Sequence, residues 1–333
     1  TYAGLTTLVF VYDPPEPSPV SANPGPGIAV NAHIDTVAPF VPVSVTEEVV
    51  RGRGSCDDKS GIVVMIEALR LLAIIQKEFG ITVPSQLTFM FVIDEEMGGN
   101  GSLSLAIDQE LRRRYDTLIV LECCDNTVFP ANRGAVWYQI EIDTAAVNEP
   151  VRKVFEVVRK IEDEGAVIKA ESDHPLFPQR PVQTSQGIVG PYGEHPSRIC
   201  GFVAIVFETD MNRDEVQSRL ERGLATYIAR YGDKTAEEDP NTGKPKLDRH
   251  YSLQSDGRTY RLELFGRTAH IAAIRENNNA CSKAAFLVQA LEEADPALHV
   301  TFADDYSSDT IILEGGQGFI PTHSIEEVQD RIE

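Results

Sequence analysis

The chain has 333 residues, of which 42% are hydrophobic, and this length and composition favour two globular domains over one. Its 51 acidic and 30 basic residues give a net charge of −21, which argues against nucleic acid or an anionic membrane as a partner. It has no run of about 18 apolar residues that could span a membrane, and five scattered cysteines favour a reducing, cytoplasmic location.

Three apolar segments among the first 122 residues are predicted to be strands, because each is rich in strand-forming side chains and stops at a polar cluster. Histidine or carboxylate side chains follow each of them. The strands and the residues that follow them are 27–32 with His33 and Asp35, 87–93 with Asp94, Glu95 and Glu96, and 117–121 with Glu122. Because open α/β sheets bind ligands at the carboxyl ends of their strands, these side chains are predicted to converge on one rim.

A fourth segment, 52–61, places two carboxylates, Asp57 and Asp58, at the entrance of a helix predicted over 62–72. Several like charges in one cleft repel strongly unless water or cations separate them. Histidine nitrogen and carboxylate oxygen are ordinary zinc ligands, and one aspartate can bridge two metal ions. The residues therefore favour a metal-dependent hydrolase, in which one member of the Glu95-Glu96 pair would bind metal and the other would act as a base.

Three motifs stand in one order along the chain: Ala32-His33-Ile34-Asp35-Thr36-Val37, Gly52-Arg53-Gly54 through Asp57-Asp58-Lys59-Ser60-Gly61, and Asp94-Glu95-Glu96. In this order they resemble the dinuclear zinc peptidases and deacylases, a family that includes aminoacylase, glutamate carboxypeptidase, tripeptide aminopeptidase and succinyl-diaminopimelate desuccinylase. The combination is far more specific than any single motif. The resemblance implies an α/β fold: a zinc-exopeptidase catalytic domain with a mixed, mainly parallel sheet, plus a smaller α+β lid or dimerisation domain that carries an insertion.

The same resemblance implies a role for each matched residue. Four side chains would bind two Zn²⁺ ions, for which Co²⁺ or Mn²⁺ could substitute: His33, Asp57, Glu96 and Glu122. Asp57 would bridge the two ions, Glu95 would be the general base, and Asp35 would hold the imidazole of His33 by a hydrogen bond. Taken singly, these residues have simpler explanations, since Asp57 could only cap a helix and a glutamate pair is usually a solvated surface.

Two positions of the predicted metal site stay open. Cys123-Cys124 replaces the family's usual residues at that point, so Asp125 is an alternative ligand, while the cysteines themselves are predicted to be small apolar fillers. His323 fits the family's last zinc ligand, but it also fits the second half of the lid domain. We favour the lid assignment, because only about thirty residues separate the region from the preceding helix, too few to return to the main sheet.

The predicted domains are an incomplete catalytic domain over 1–131 and a lid or dimerisation domain over 132–333, with an insertion at about 145–255. The alternating segment over 260–270 ends at His270, which by the family match would reach across a dimer, or down on closure, to polarise the scissile carbonyl. A histidine that caps a turn is the alternative. The start at Thr1 and a predicted helix over 324–333 also favour a fragment lacking both ends.

Further elements are predicted in this second half from periodicity and turn residues. They are strands over 132–142 and 200–207, helices over 150–162, 213–231 and 278–293, a proline-rich loop over 175–192, and an exposed linker over 232–250.

The sequence thus predicts metal-dependent hydrolysis of an amide bond in a small peptide or N-acyl amino acid. A glutamate at position 122 resembles the carboxypeptidase and deacylase branches of that family more than its dizinc aminopeptidase branch, and the resemblance also implies a homodimer through the lid domain. A non-catalytic binding protein that retains the fold is the alternative from another class. The presence of Glu95 argues against it, because a binding protein does not need a base beside the metal ions.

Overall fold

A computed structural model of the chain describes residues 6–13, 27–83, 85–122, 127–177, 188–191, 199–239, 242–268, 278–303 and 309–333. The chain divides into two compact units, Thr1–Val128 and Phe129–Glu333, called here the first and the second unit. The predicted assignment of a catalytic and a lid domain, with its boundary after residue 131, stays a prediction. Within the described residues, no helix is both long enough and apolar enough to cross a membrane.

The first unit is built on a four-stranded sheet of mixed direction. Its elements are β1 (Leu8–Tyr12), β2 (Ile28–His33), β3 (Ser44–Val45), β4 (Val50–Arg51), α1 (Lys59–Phe79), β5 (Leu87–Val92), α2 (Asn100–Ala106), α3 (Gln109–Arg112) and β6 (Thr117–Val120). The strand order is β1-β5-β2-β6, in which β2 pairs in parallel with β5 and β6 while β1 runs antiparallel to β5. The predicted mixed, mainly parallel sheet is therefore confirmed.

Strand β5 explains how this sheet is held between helices. All six of its residues are buried, as expected of a strand covered on both faces. Phe89 and Phe91 pack in one apolar cluster with Met65 of α1, and Met90 and Val92 pack in another with Leu105 of α2. Since β2 and β5 are parallel neighbours, their carboxyl ends lie side by side at one edge of the sheet.

The second unit contains two antiparallel sheets and four helices among its described residues. Its elements are β7 (Gly134–Asp143), α4 (Pro150–Glu171), β8 (Ile188–Pro191), β9 (Phe202–Glu208), α5 (Arg213–Tyr231), β10 (Tyr251–Asp256), β11 (Thr259–Phe265), α6 (Ala280–Glu292), β12 (His299–Phe302), β13 (Thr310–Phe319) and α7 (Ile325–Ile332). One sheet has the order β10-β11-β9-β12 and the other β7-β13-β8. The sequence β9-α5-β10-β11-α6-β12 is a split βαβ arrangement, which gives the unit the predicted α+β character. Strands β9 and β10 come from the predicted insertion, yet they share a sheet with β11.

Several elements of the second unit differ from their sequence predictions. The helix predicted over 150–162 continues to Glu171, because apolar residues at helical spacing remain buried as far as Ile168. Strand β8 lies inside the segment predicted to be a proline-rich loop, since it finds a partner in β13.

The segment over 232–250 is not the exposed linker that its polar sequence predicts. Lys234, Asp239 and His250 in this segment are all less than 9% exposed. Each has an ionic partner: Lys234 pairs with Glu237 at 2.8 Å, Asp239 with Arg267 at 2.8 Å, and His250 with Asp233 at 2.9 Å. Paired charges can be buried where single ones cannot, so a polar composition alone is a poor guide to exposure here.

Candidate metal centre

One imidazole nitrogen is the meeting point of three carboxylates in the first unit. His33 lies at the carboxyl end of β2 and is 2% exposed. Its Nε2 atom lies 2.8 Å from Asp57 Oδ1, 3.9 Å from Glu95 Oε2 and 4.0 Å from Glu122 Oε2. These side chains come from the loop before α1, the loop after β5 and the end of β6, so the predicted rim of the sheet does bring them together.

The other nitrogen of the His33 ring faces Asp35. Nδ1 lies 3.2 Å from the backbone oxygen of Asp35 and 3.5 Å from its Oδ1 atom. The second carboxylate oxygen of Asp35 accepts a hydrogen bond of 3.1 Å from the backbone amide of Glu96. Asp35 therefore connects the imidazole with the loop that carries both glutamates, and its backbone makes the shorter contact with the ring.

Asp58 is a part of the site whose bonding the sequence did not reveal. It is 1% exposed, and its Oδ2 atom accepts a hydrogen bond of 3.2 Å from the backbone amide of His33. Its Oδ1 atom accepts one of 3.2 Å from the amide of Gly61 in the first turn of α1. A Cβ atom at position 61 would lie 2.5 Å from Oδ1, so glycine is needed there. Asp58 thus connects the end of β2 with the start of α1. The glycine three residues later is the one feature of the sequence that could have indicated this bonding.

The electrostatics of the cluster favour a bound cation. Burial raises the pKa of the Glu95 carboxyl, His33 partly opposes this, and the carboxylates of Glu96 and Glu122 raise it further. Burial lowers the pKa of His33, but the hydrogen bond to Asp57 and the charge of Glu95 outweigh burial, and the pKa lies above its ordinary value. Both groups therefore hold their protons more firmly than usual, and neighbouring carboxylates contribute to both rises.

The donor atoms fit a divalent metal ion. His33 Nε2 and one carboxylate oxygen each from Asp57 and Glu122 all lie within 4.8 Å of one another. Imidazole nitrogen and carboxylate oxygen are the ligand types that zinc takes in catalytic sites. Glu96 belongs to the same loop as Glu95, and its amide is tied to Asp35.

Some residues considered from the sequence lie outside the described part of the chain. They are Cys123, Cys124, Asp125 and His270. His323 is described and lies in the second unit, where it is 6% exposed and its Nε2 atom lies 3.2 Å from Glu171 Oε2. The same carboxylate contacts Arg331 of α7 at 2.6 Å. His323 therefore bonds to α4 of its own unit.

Comparison with known proteins identifies the relatives of this chain. The family model described as "Peptidase family M20/M25/M40" matches residues 29–310. A "Probable carboxypeptidase" of Arthroderma benhamiae is 29% identical over 153 residues, which cover 39% of this chain and 32% of that protein. A probable carboxypeptidase of Emericella nidulans is 32% identical over 153 residues, covering 40% of this chain and 32% of that protein. The chain thus spans about a third of the length of the curated relatives it matches.

Solved structures also include a similar protein. A tripeptidase from Staphylococcus aureus aligns with 98% of this chain and 66% of its own, with 13% identity and a TM-score of 0.29.

Proposed function

The chain belongs to peptidase family M20/M25/M40, and on that premise we propose that it hydrolyses an amide bond in a small peptide or N-acyl amino acid with two divalent metal ions. The convergence of His33, Asp57 and Glu122, with Glu95 beside them, is the observation that carries the proposal. We favour the carboxypeptidase or deacylase type; the relatives named above are described as probable carboxypeptidases.

The proposed ligands are His33, Asp57, Glu96 and Glu122, and by the motif match Asp57 would be a ligand of both ions. Zinc ions bound there would supply Lewis acidity and lower the pKa of a water molecule. The chain's own part is to hold the donors in place. Asp58 fixes the backbone of His33, and Asp35 contacts both the ring of His33 and the amide of Glu96. Such outer contacts orient ligands and sustain metal affinity.

Glu95 is the proposed general base. Its Oε2 atom lies 3.9 Å from His33 Nε2, so the carboxylate belongs to the cluster without bonding closely to the imidazole. Burial raises its pKa, which brings its proton affinity nearer to what transfer at neutral pH requires. It would take the proton from the attacking water and deliver it to the leaving amine. By the motif match, His270 would polarise the substrate carbonyl.

The test compares Glu95→Gln with the wild type in zinc content and in hydrolysis of N-acetyl amino acids, dipeptides and amino-acid anilides. We expect two zinc ions per chain in both proteins, and a loss of kcat of about 100-fold or more in the variant, the usual worth of a general base. Glu67→Gln, on the exposed side of α1, is the matched control and should leave turnover unchanged.

Each other outcome has a definite meaning. Anilides cleaved faster than N-acetyl amino acids would favour the dizinc aminopeptidase. Full activity in Glu95→Gln would refute the assigned base. If the wild type binds no zinc and hydrolyses none of the substrates, the alternative of a non-catalytic binding protein that retains the fold is favoured.

The family resemblance and the cysteines extend the proposal to assembly and location. We infer a homodimer formed through the second unit, which sedimentation of the purified chain would test. The described cysteines, Cys56, Cys200 and Cys281, form no disulfide, which supports the inferred cytoplasmic location.

A further inference from the structure

Glu95 and Glu96 lie in a short loop between β5 and α2 that is closed by the residues flanking them. Asp94, directly before the pair, has a φ of 62° and is 8% exposed. Its backbone oxygen accepts a hydrogen bond of 2.5 Å from the amide of Gly99, and its Oδ2 atom accepts one of 2.5 Å from Asn100 Nδ2. Asp94 thus makes a backbone and a side-chain bond across the same loop.

The far end of the loop is fixed by close packing. Asn100 is the first residue of α2, and Gly99 before it has a φ of 71°. A Cβ atom at Gly101 would lie 2.2 Å from the backbone oxygen of Ile93, so the first turn of α2 sits directly on the end of β5. Both ends of the loop are therefore anchored in the buried part of the first unit.

The conformation of Asp94 decides where the two glutamates point. A left-handed backbone is unfavourable for residues other than glycine, although aspartate and asparagine tolerate it best. Such a conformation persists where surrounding contacts enforce it, and it recurs at functional sites. Here it reverses the chain directly after β5, which brings the Glu95 carboxylate towards His33 and the Glu96 amide to Asp35. An extended backbone at Asp94 would direct both glutamates elsewhere.

We propose that Asp94 and Asn100 are positioning residues, whose side-chain hydrogen bond holds the loop so that Glu95 and Glu96 face His33. The consequence for catalysis rests on the proposed function; the consequence for the loop does not. Asp94 is adjacent to the predicted base and ligand, but its own carboxylate bonds to Asn100 and is not offered as a ligand.

Four variants separate the backbone conformation from the hydrogen bond. Asp94→Asn keeps both an acceptor and a tolerated left-handed backbone. Asp94→Gly keeps only the backbone freedom, Asn100→Ala removes only the donor, and Asp94→Ala removes both features. Asp108→Ala is the control, because it deletes a carboxylate of the same unit that caps α3 by accepting hydrogen bonds from the amides of Glu110 and Leu111.

The first readout is hydrogen exchange at the amides of Glu96 and Gly99 in the metal-free chain. We expect exchange at least tenfold faster in Asp94→Ala and Asn100→Ala than in the wild type, with Asp94→Asn restoring most of the protection and Asp108→Ala changing nothing. Unchanged exchange in the first two variants would overturn the proposal, whatever the chain does with metal or substrate. Asp94→Asn behaving like Asp94→Ala would also overturn it.

The second readout is zinc affinity, measured by competition with a chromophoric chelator, together with kcat and KM. We expect Asp94→Ala and Asn100→Ala to bind zinc about 10- to 100-fold more weakly, the usual effect of changing residues that hold metal ligands in place. We also expect kcat to fall with little change in KM. Wild-type affinity and turnover in both would refute the positioning role. If exchange responds as expected but the wild type binds no zinc and cleaves nothing, the proposed function fails while the role of the pair in the loop stands.

Discussion

Ionisable side chains are arranged differently in the two units. In the first unit, His33, Asp57, Glu95 and Glu122 crowd together, and the pKa of Glu95 and of His33 both rise. Negative charge there exceeds positive charge, so protons or a cation are favoured. Such an imbalance lowers stability in the metal-free protein, and it is tolerated where it serves binding or catalysis.

In the second unit, some buried ionisable groups are hydrogen-bonded within the protein itself. Glu162 is 0% exposed, and it accepts hydrogen bonds from the hydroxyl of Tyr231 and, at 2.7 Å, from Ser282 Oγ. His250 pairs with Asp233 at 2.9 Å. These groups join α4, α5, α6 and the loop after α5. The difference is one of arrangement: three carboxylates around His33 converge on one imidazole nitrogen, whereas Glu162 and His250 bond to partners on other elements of their own unit.

The largest effect that tests this contrast is expected from Asp57→Asn. The amide removes a negative charge and an anionic ligand from the cluster while keeping the size of the side chain. We expect zinc content to fall and activity to drop by more than about 100-fold. This loss is larger than that caused by changing residues that only position metal ligands. Metal analysis and kcat/KM measure this, with Asp108→Asn as a control of the same chemistry. Full zinc content in Asp57→Asn would mean that Asp57 is not a ligand.

The metal-free chain should show a pH dependence of stability to which carboxylates of the first unit contribute. The folded-state pKa values of Glu95, Glu96 and Asp58 are raised, chiefly by burial. Their contribution to stability is therefore fully present below the unfolded-state pKa values, about 4, and is lost as pH rises through the folded-state values. Above pH 5 the metal-free chain should become less stable with rising pH.

Zinc should reverse that loss. At a thousandfold excess over its Kd, a ligand adds about 4 kcal/mol of stability, and the gain should be larger at pH 8 than at pH 5, because protons compete for the same donors. Melting temperatures with zinc and with chelator at both pH values measure this. An equal zinc-induced increase at both would contradict the assignment of these carboxylates to the metal site.

The sequence could predict that His33, Asp57, Glu95 and Glu122 come together because its signals are local. Apolar runs that end in His33, Glu95-Glu96 and Glu122 report both the strands and the polar rim, and β2, β5 and β6 lie where these runs predicted them. What it could not predict depends on partners far along the chain. The carboxylate of Asp58 bonds to an amide 25 positions earlier, and the left-handed turn at Asp94 has no signature in composition.

The same limit explains the errors in the second unit. The segment over 232–250 has the composition of a surface loop. The ion pair with Arg267, 28 residues beyond Asp239, lowers the free-energy cost of burying that carboxylate. Strand β8 becomes a strand because β13, more than a hundred residues later, lies beside it. Local periodicity carries no information about either partner.

A smaller effect should come from Glu162→Gln, which tests whether the buried charge of the second unit is compensated. Burial raises the pKa of Glu162 to about 7, from an ordinary value of 4.5. Its contribution to stability is therefore fully present below pH 4.5 and is lost as pH rises through 7, a loss on the order of 3 kcal/mol. A neutral amide has no such titration.

We therefore expect Glu162→Gln to remove part of the slope of unfolding free energy against pH between about 5 and 8, without changing zinc content. Denaturant unfolding at several pH values measures the slope. A variant whose slope equals that of the wild type would show that Glu162 stays charged throughout, and that the hydrogen bonds from Tyr231 and Ser282 compensate it fully.

The smallest effect is expected at Glu156 on the surface of α4. Lys160 and Lys153 lie 2.8 Å and 3.0 Å from it, and their hydrogen bonds lower its pKa. Its stabilising contribution is thus present above the unfolded-state pKa and is lost as pH falls through the lowered folded-state value. Since all three side chains are more than 40% exposed, solvent screens the pairs, and Glu156→Gln should cost only about 0.3 kcal/mol at pH 7.

That cost should nearly vanish at about 1 M salt, where the screening length falls to about 3 Å. Chemical denaturation at low and high salt measures both values. A loss above about 1 kcal/mol, or one that salt does not reduce, exceeds what exposed pairs contribute. It would mean that surface charges of the second unit matter as much as buried ones, so that charge imbalance would no longer distinguish the cluster around His33 from ordinary ion pairing.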